Sequence, residues 1–92
     1  GKQVVDQEHV KRILAVMATA GLYDDSGIWL YRVGLPAKSG VGGGIIAVAP
    51  GRFGIAVFSP PLDAAGNSVR AQKAIQDVSA ALRANPYDVK PR

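Results

Sequence analysis

The run Lys38-Ser39-Gly40-Val41-Gly42-Gly43-Gly44-Ile45-Ile46 holds the residues of this chain best suited to chemistry. A lysine and a hydroxyl precede a glycine, and further glycines open into a β-branched apolar segment. Lys-Ser/Thr-Gly at the head of a strand is an element of serine acyl-transfer sites, where it lines one edge of the site. The backbone N–H that follows the glycine, here that of Val41, can point at an oxyanion. Lys38, Ser39, Gly40 and Val41 are therefore candidates for one wall of a hydrolytic site. The nucleophile that such a wall faces is not among them. No serine here has a lysine three positions on: Ser26 leads to Trp29, Ser39 to Gly42, Ser59 to Leu62, Ser68 to Ala71 and Ser79 to Leu82.

Composition narrows the alternatives. The chain has 92 residues, which makes at most one small domain, and its apolar share of 48% argues against disorder. There is no cysteine, so disulfides and thiolate metal sites are excluded and a reducing cytoplasm is the expected setting. His9 is the only histidine, so neither a Ser-His-Asp triad nor a multi-histidine zinc site is expected within the chain. No metal and no cofactor is called for. No apolar run approaches the ~20 residues that cross a bilayer, and the first residues lack the apolar core of a secretory signal. The net charge of +4 raises nucleic acid as a partner. The cations, from Lys11 and Arg12 to Lys90 and Arg92, are spread rather than clustered, and no aromatics interleave with them. A solvated surface is the expected reading, with neither a nucleic-acid nor a membrane partner.

The elements that must position the candidate wall follow from pattern. Asp6 can cap a helix whose apolar positions are Val10, Ile13, Leu14 and Met17, with Val5 and Val10 as a hydrophobic staple and Gly21 as its stop. Asp24-Asp25-Ser26-Gly27 reads as a turn, and Ile28 to Val33 as a strand with Trp29, Tyr31 and Val33 on one face. Gly34-Leu35-Pro36 interrupts the ladder, which resumes at Lys38. Gly43–Ala49 and Phe53–Phe58 are apolar runs joined by Pro50-Gly51-Arg52, as in an antiparallel hairpin. Both are apolar enough to expect cover on both faces of the sheet. Asn67 can cap a last helix that packs through Ile75, Val78 and Leu82. The fold class is α+β: an antiparallel sheet with flanking helices, over residues 1–85, with a loosely held tail at 86–92.

Three strings carry a more specific signal. They are Gly21-Leu22-Tyr23-Asp24-Asp25-Ser26-Gly27, Tyr31 through Ile45, and Ser59-Pro60-Pro61-Leu62-Asp63-Ala64-Ala65-Gly66-Asn67-Ser68. Together, in this order and spacing, they closely resemble the C-terminal part of the serine-dependent glutaminases, enzymes with a β-lactamase-like fold. The resemblance implies hydrolysis of L-glutamine to L-glutamate and ammonia, without metal or organic cofactor. It implies a nucleophilic serine with a lysine three positions on, in an earlier part of the family's chain that this segment would need as a partner. It implies that Tyr23 lies beside the nucleophile and moves its proton, and that Val41 gives its N–H to the oxyanion hole. It also implies a homo-oligomer. Positive neighbours favour the phenolate form of a tyrosine, and a backbone donor needs no particular side chain, so both assignments are chemically sound.

Blander readings stand beside these. An aromatic after a helix stop often only packs. Lys38 either lines the site or pairs with an acid, and Ser39 either lines the site or bonds at the strand edge. Gly42-Gly43-Gly44 is a poor phosphate cradle because a strand, not a helix, follows. Trp29, Tyr31, Phe53 and Phe58 are expected in the core and His9 on a helix surface. A β-lactamase or penicillin-binding relative, and a non-catalytic or self-associating module, are the alternatives to a glutaminase segment.

Overall fold

The computed structural model describes residues 2–89. Helix α1 spans Gln7–Ala20, a 3-10 turn covers Tyr23–Asp25, and helix α2 runs over Ser26–Val33. Strands β1 (Ala37–Ser39), β2 (Gly44–Ala49) and β3 (Phe53–Phe58) follow, and helix α3 spans Val69–Ala81. The strands form one antiparallel sheet in the order β1-β2-β3. The fold is α+β, as expected. Among the described residues no helix is long and apolar enough to cross a membrane.

Asp6 caps α1, its Oδ1 accepting the Glu8 N–H at 3.1 Å. Of the expected apolar stripe only Met17 is buried; Val10 and Ile13, like Val5, are exposed. Gly21 closes the helix in right-handed conformation, and its need for glycine is one of space. A Cβ there would lie 1.7 Å from the Ala37 carbonyl oxygen of β1 and 2.5 Å from that of Met17. Gly21→Ala must push β1 away from α1, so thermal unfolding should show destabilisation at the upper end of the ~1–3 kcal/mol typical of overpacking. An unchanged melting temperature would mean that this contact is not close in solution.

Ile28–Val33 is helix, not strand. The β-branched and aromatic residues Ile28, Trp29, Tyr31 and Val33 imitate a strand, but the buried positions are Ser26, Trp29 and Val33, spaced three and four apart. Gly34, at φ +75°, terminates the helix in left-handed conformation. The Trp29 indole N–H donates to the Leu35 carbonyl at 2.9 Å, which fixes the ring in the core. Helical geometry turns Tyr31 outward, where it is 81% exposed rather than part of the core.

The hairpin of β2 and β3 has the expected antiparallel pairing, from Gly44 opposite Phe58 to Ala49 opposite Phe53. Its turn puts Pro50 and then Gly51, at φ +74°, at the centre, and the Arg52 N–H returns to the Ala49 carbonyl. One sheet face carries Ala37, Ser39, Ile45, Ala47 and Ala49, all buried beneath the helices. The other carries Lys38, Ile46, Ala56 and Phe58, which are open. Cover on both faces is therefore not what this chain provides: α1 packs on β1, and α3 on β2 and β3, leaving one face bare. Phe58, expected in the core, is 71% exposed on that face.

Helix α3 is capped by Ser68 rather than Asn67: the Ser68 Oγ accepts the Ala71 N–H at 3.2 Å. Its buried stripe is Ala71, Ile75 and Ser79. Of the expected contacts Ile75 is fully buried and Val78 half-buried, while Leu82 lies beyond the last turn and is exposed. The Ser79 hydroxyl donates to the Val33 carbonyl, tying α3 to α2. Past Asn85 the chain is exposed as far as Val89. The rest of the tail, with Lys90 and Arg92, lies outside the described residues.

Candidate active site

The Gly21-Leu22-Tyr23 segment crosses from α1 to α2 through an unusual backbone. Tyr23 has φ +54°, in the left-handed region. For a residue with a Cβ this costs roughly 1–2 kcal/mol, and such strain concentrates at functional positions. Its neighbours determine it from both sides. The Ser26 hydroxyl accepts the Leu22 N–H at 2.9 Å and donates to the Tyr23 carbonyl at 2.8 Å. The Leu22 carbonyl accepts from Asn67 Nδ2 at 3.0 Å and from the Asp25 N–H at 3.1 Å. The Gly21 carbonyl accepts the Ser39 N–H at 3.1 Å. The Tyr23 side chain itself is exposed, so strain and bonds hold the ring in a solvent-facing position.

Lys38 joins this segment to the sheet. Its Nζ lies 4.8 Å from the centre of the Tyr23 ring, a cation–π contact. No carboxylate is within ion-pair distance of it among the described residues. Lys38, Ser39 and Gly40 also line a shallow groove on the open sheet face with Ile46, Ala56 and Phe58. The Ser39 side chain turns the other way: it is buried on the covered face, 3.4 Å from the Gly21 carbonyl.

Val41 stands at the tip of the β1–β2 hairpin, in a turn and not in a strand. The Gly43 N–H donates to the Gly40 carbonyl at 2.9 Å, making Val41 and Gly42 the central residues. Among the described residues the Val41 N–H has no protein acceptor, and the residue is 74% exposed. Gly43, at φ +105°, anchors the turn from behind. Its carbonyl accepts the Ser59 N–H at 2.8 Å, and a Cβ on it would lie 2.5 Å from Pro60 Cα. The hairpin thus presents a free donor on a fixed base. Tyr23 and Lys38 are in contact; Val41 belongs to the same hairpin as Lys38 but does not line its groove.

The loop from Asp63 to Asn67 supports the tyrosine from the opposite side. Asp63 Oδ1 accepts the Ala65 and Asn67 N–H groups at 3.0 Å each, and Oδ2 accepts from Gln72 Nε2 at 2.9 Å. The Gln72 bond above all, then the Asn67 N–H, holds the Asp63 carboxyl below its ordinary 3.8, against a smaller opposing effect of burial. The carboxylate therefore stabilises the loop fully above about pH 4, and that stability is lost as pH falls through the depressed folded value. Thermal unfolding of the native protein and of Asp63→Asn should differ at pH 6 and converge toward pH 2. A gap that stays constant across this range would exclude the linkage.

Sequence pattern did not single out Ser26 or Asn67 as site residues. Ser26 reads as a turn residue and Asn67 as a helix cap. The one signal present was the Asp-x-x-x-Asn spacing of a loop that bonds itself, which says nothing of Leu22, 45 positions earlier.

These features define an α+β layer with a strained tyrosine set against a Lys-Ser-Gly hairpin. The glutaminase family model matches residues 1–87. A glutaminase from Colwellia psychrerythraea is 66% identical over 86 residues, covering 94% of this chain and 28% of the relative. The solved structure of the probable glutaminase YbaS is 57% identical with a TM-score of 0.90, covering 96% of this chain and 28% of that one. A Bacillus subtilis glutaminase in covalent complex with 5-oxo-L-norleucine, formed by reaction with 6-diazo-5-oxo-L-norleucine, is 33% identical with a TM-score of 0.84. It aligns over 94% of this chain and 32% of its own. The chain belongs to the glutaminase family and spans between a quarter and a third of the length of these relatives.

Proposed function

We propose that this segment forms one side of the catalytic centre of a glutaminase that hydrolyses L-glutamine to L-glutamate and ammonia through a serine acyl-enzyme. The serine and its partner lysine, a Ser-x-x-Lys pair, come from protein outside these residues. In this reading the serine oxygen attacks the side-chain amide carbon. The C–N bond breaks as nitrogen takes a proton and leaves as ammonia, and water then cleaves the ester to release glutamate. Tyr23 carries the proton between serine and departing nitrogen. The Val41 N–H, joined by the nucleophile's own, receives the charge that develops on the carbonyl oxygen. No metal or cofactor enters the reaction.

The observation that carries this reading is Tyr23, held in strained conformation with the Lys38 cation on its ring. A packing tyrosine would need neither the strain nor the exposure. The covalent adduct of the Bacillus relative, in which the diazo nitrogens have left and the 5-oxo group remains, supports a reactive protein group beside the place where a glutamine-like carbonyl binds. The bare face of Lys38, Ile46, Ala56 and Phe58, with the open apolar stripe of α1, supports burial against the remainder of the catalytic domain. A homo-oligomer and a cytoplasmic setting complete the proposal, resting on the family resemblance and the cysteine-free sequence.

The isolated 92-residue chain should release no ammonia from glutamine, because it holds no Ser-x-x-Lys pair. A full-length glutaminase carrying this segment should. Turnover by the purified segment alone would sink the proposal.

A further inference from the structure

The Leu22–Tyr23 turn is held by two side chains that reach it from different parts of the chain. Asn67 is 0% exposed, and its Nδ2 donates to the Leu22 carbonyl at 3.0 Å. Its Oδ1 has no hydrogen-bond partner among the described residues. A buried amide left half unpaired is a poor way to fill space, since an unsatisfied acceptor is unfavourable where an apolar group would not be. The amide's one side-chain bond goes to the residue immediately before the strained tyrosine. The loop that delivers it is itself fixed: the Asp63 N–H donates to the Asn67 carbonyl at 2.8 Å, and the Asn67 N–H returns to Asp63 Oδ1. Gly66, the preceding residue, lies against the tyrosine ring, so closely that a Cβ on it would be 3.8 Å from Tyr23 Cε2. From the α2 side, Ser26 Oγ binds both the Leu22 N–H and the Tyr23 carbonyl. Both polar groups of the Leu22 backbone are thus held by side chains, one 45 and one 4 positions away.

We propose that Asn67 and Ser26 are positioning residues of the reaction, a clamp on Leu22 that keeps Tyr23 in its left-handed conformation and its hydroxyl on the path of the proton. The inference rests on the reading of Tyr23 as the proton-transfer group. Neither clamp residue touches substrate in this scheme. Each acts through the tyrosine, and a displacement of about 1 Å in a catalytic group can lower turnover by ~10²-fold.

The test is a double-mutant cycle in a full-length glutaminase carrying this segment, reading kcat, KM for glutamine and melting temperature. Asn67→Ala should lower kcat by about 10- to 100-fold, the range seen when a supporting group of a catalytic residue is removed, with KM within a few-fold. In a Tyr23→Phe background the same change should alter kcat less than about twofold, because the hydroxyl it positions is already gone. The loss of melting temperature should be alike in both backgrounds. A structural role would instead lower kcat by the same factor with or without the hydroxyl. That result, or unchanged kcat in Asn67→Ala, overturns the proposal. Should Asn67→Ala not fold, Ser26→Ala carries the same cycle from the other side of the turn: a kcat loss that depends on the hydroxyl supports the clamp, and one independent of it overturns the clamp. Failure of the clamp is distinguishable from failure of the function: near-normal turnover by Tyr23→Phe alone would remove the tyrosine's role, and the clamp's with it.

Discussion

Val41→Pro in a full-length glutaminase carrying this segment should lower kcat by ~10²–10³-fold while leaving the fold intact. Proline removes one group, the backbone N–H, and in a strand interior that removal also breaks a ladder bond. Val41 is not in a strand. It is the first central residue of the Gly40–Gly43 turn, a position that proline favours, and its N–H makes no bond to the protein among the described residues. The substitution therefore deletes a donor with little else to disturb. Val41→Ala is the matched control: it keeps the N–H and trims an exposed side chain, so kcat should stay within a few-fold of the parent. Steady-state kinetics beside melting curves read both variants. Equal activity in Val41→Pro and Val41→Ala would show that no developing charge meets this nitrogen.

Tyr23→Phe should lower kcat by ~10²–10⁴-fold, the usual contribution of a positioned acid–base group, with a much smaller change in KM. The ring stays, so its contact with Lys38 survives, and the hydroxyl that is lost makes no hydrogen bond within this chain among the described residues. The melting temperature should consequently stay close to that of the parent. Loss of activity with preserved stability separates chemistry from packing. Were kcat preserved, Tyr23 would be a strained surface residue without a reaction to serve.

Much of the scaffold was legible because its signals are periodic and local. Asp6 ahead of α1, Pro50-Gly51 between β2 and β3, and the spacing around Ile75 each state a local geometry that tertiary packing leaves intact. Ile28–Val33 failed the same approach for a physical reason. Its side chains suit a pleated surface, but the core needs only Trp29 and Val33, which a helix presents on one face. Ser68 displaced Asn67 as the cap because the Asn67 amide is engaged by Leu22. That contact spans 45 positions, and no local pattern announces it. The strain at Tyr23 is hidden in the same way, since the sequence shows a tyrosine after a helix stop and not its φ. The Lys-Ser-Gly run was readable as a string of residues; the turn that leaves the Val41 N–H without a protein acceptor among the described residues, and the bonds from Asn67 and Ser26 to the Leu22–Tyr23 segment, were not.

The bare sheet face connects the fold to the reaction. Ile46 and Phe58 are exposed apolar side chains in the groove that Lys38 and Gly40 also line, a surface suited to burial against further protein. Packing there would bring a second body of protein against the Lys-Ser-Gly hairpin, where the reaction scheme requires the nucleophile.

The most direct test of the central claim is the structure of a full-length glutaminase carrying this segment after reaction with 6-diazo-5-oxo-L-norleucine. The expected result is a covalent bond to a serine outside these residues. The adduct's carbonyl oxygen should lie ~2.7–3.1 Å from the Val41 nitrogen, with the Tyr23 hydroxyl in hydrogen-bond reach of the serine oxygen. An adduct whose oxygen points away from Val41, with Tyr23 remote from the serine, would contradict the claim.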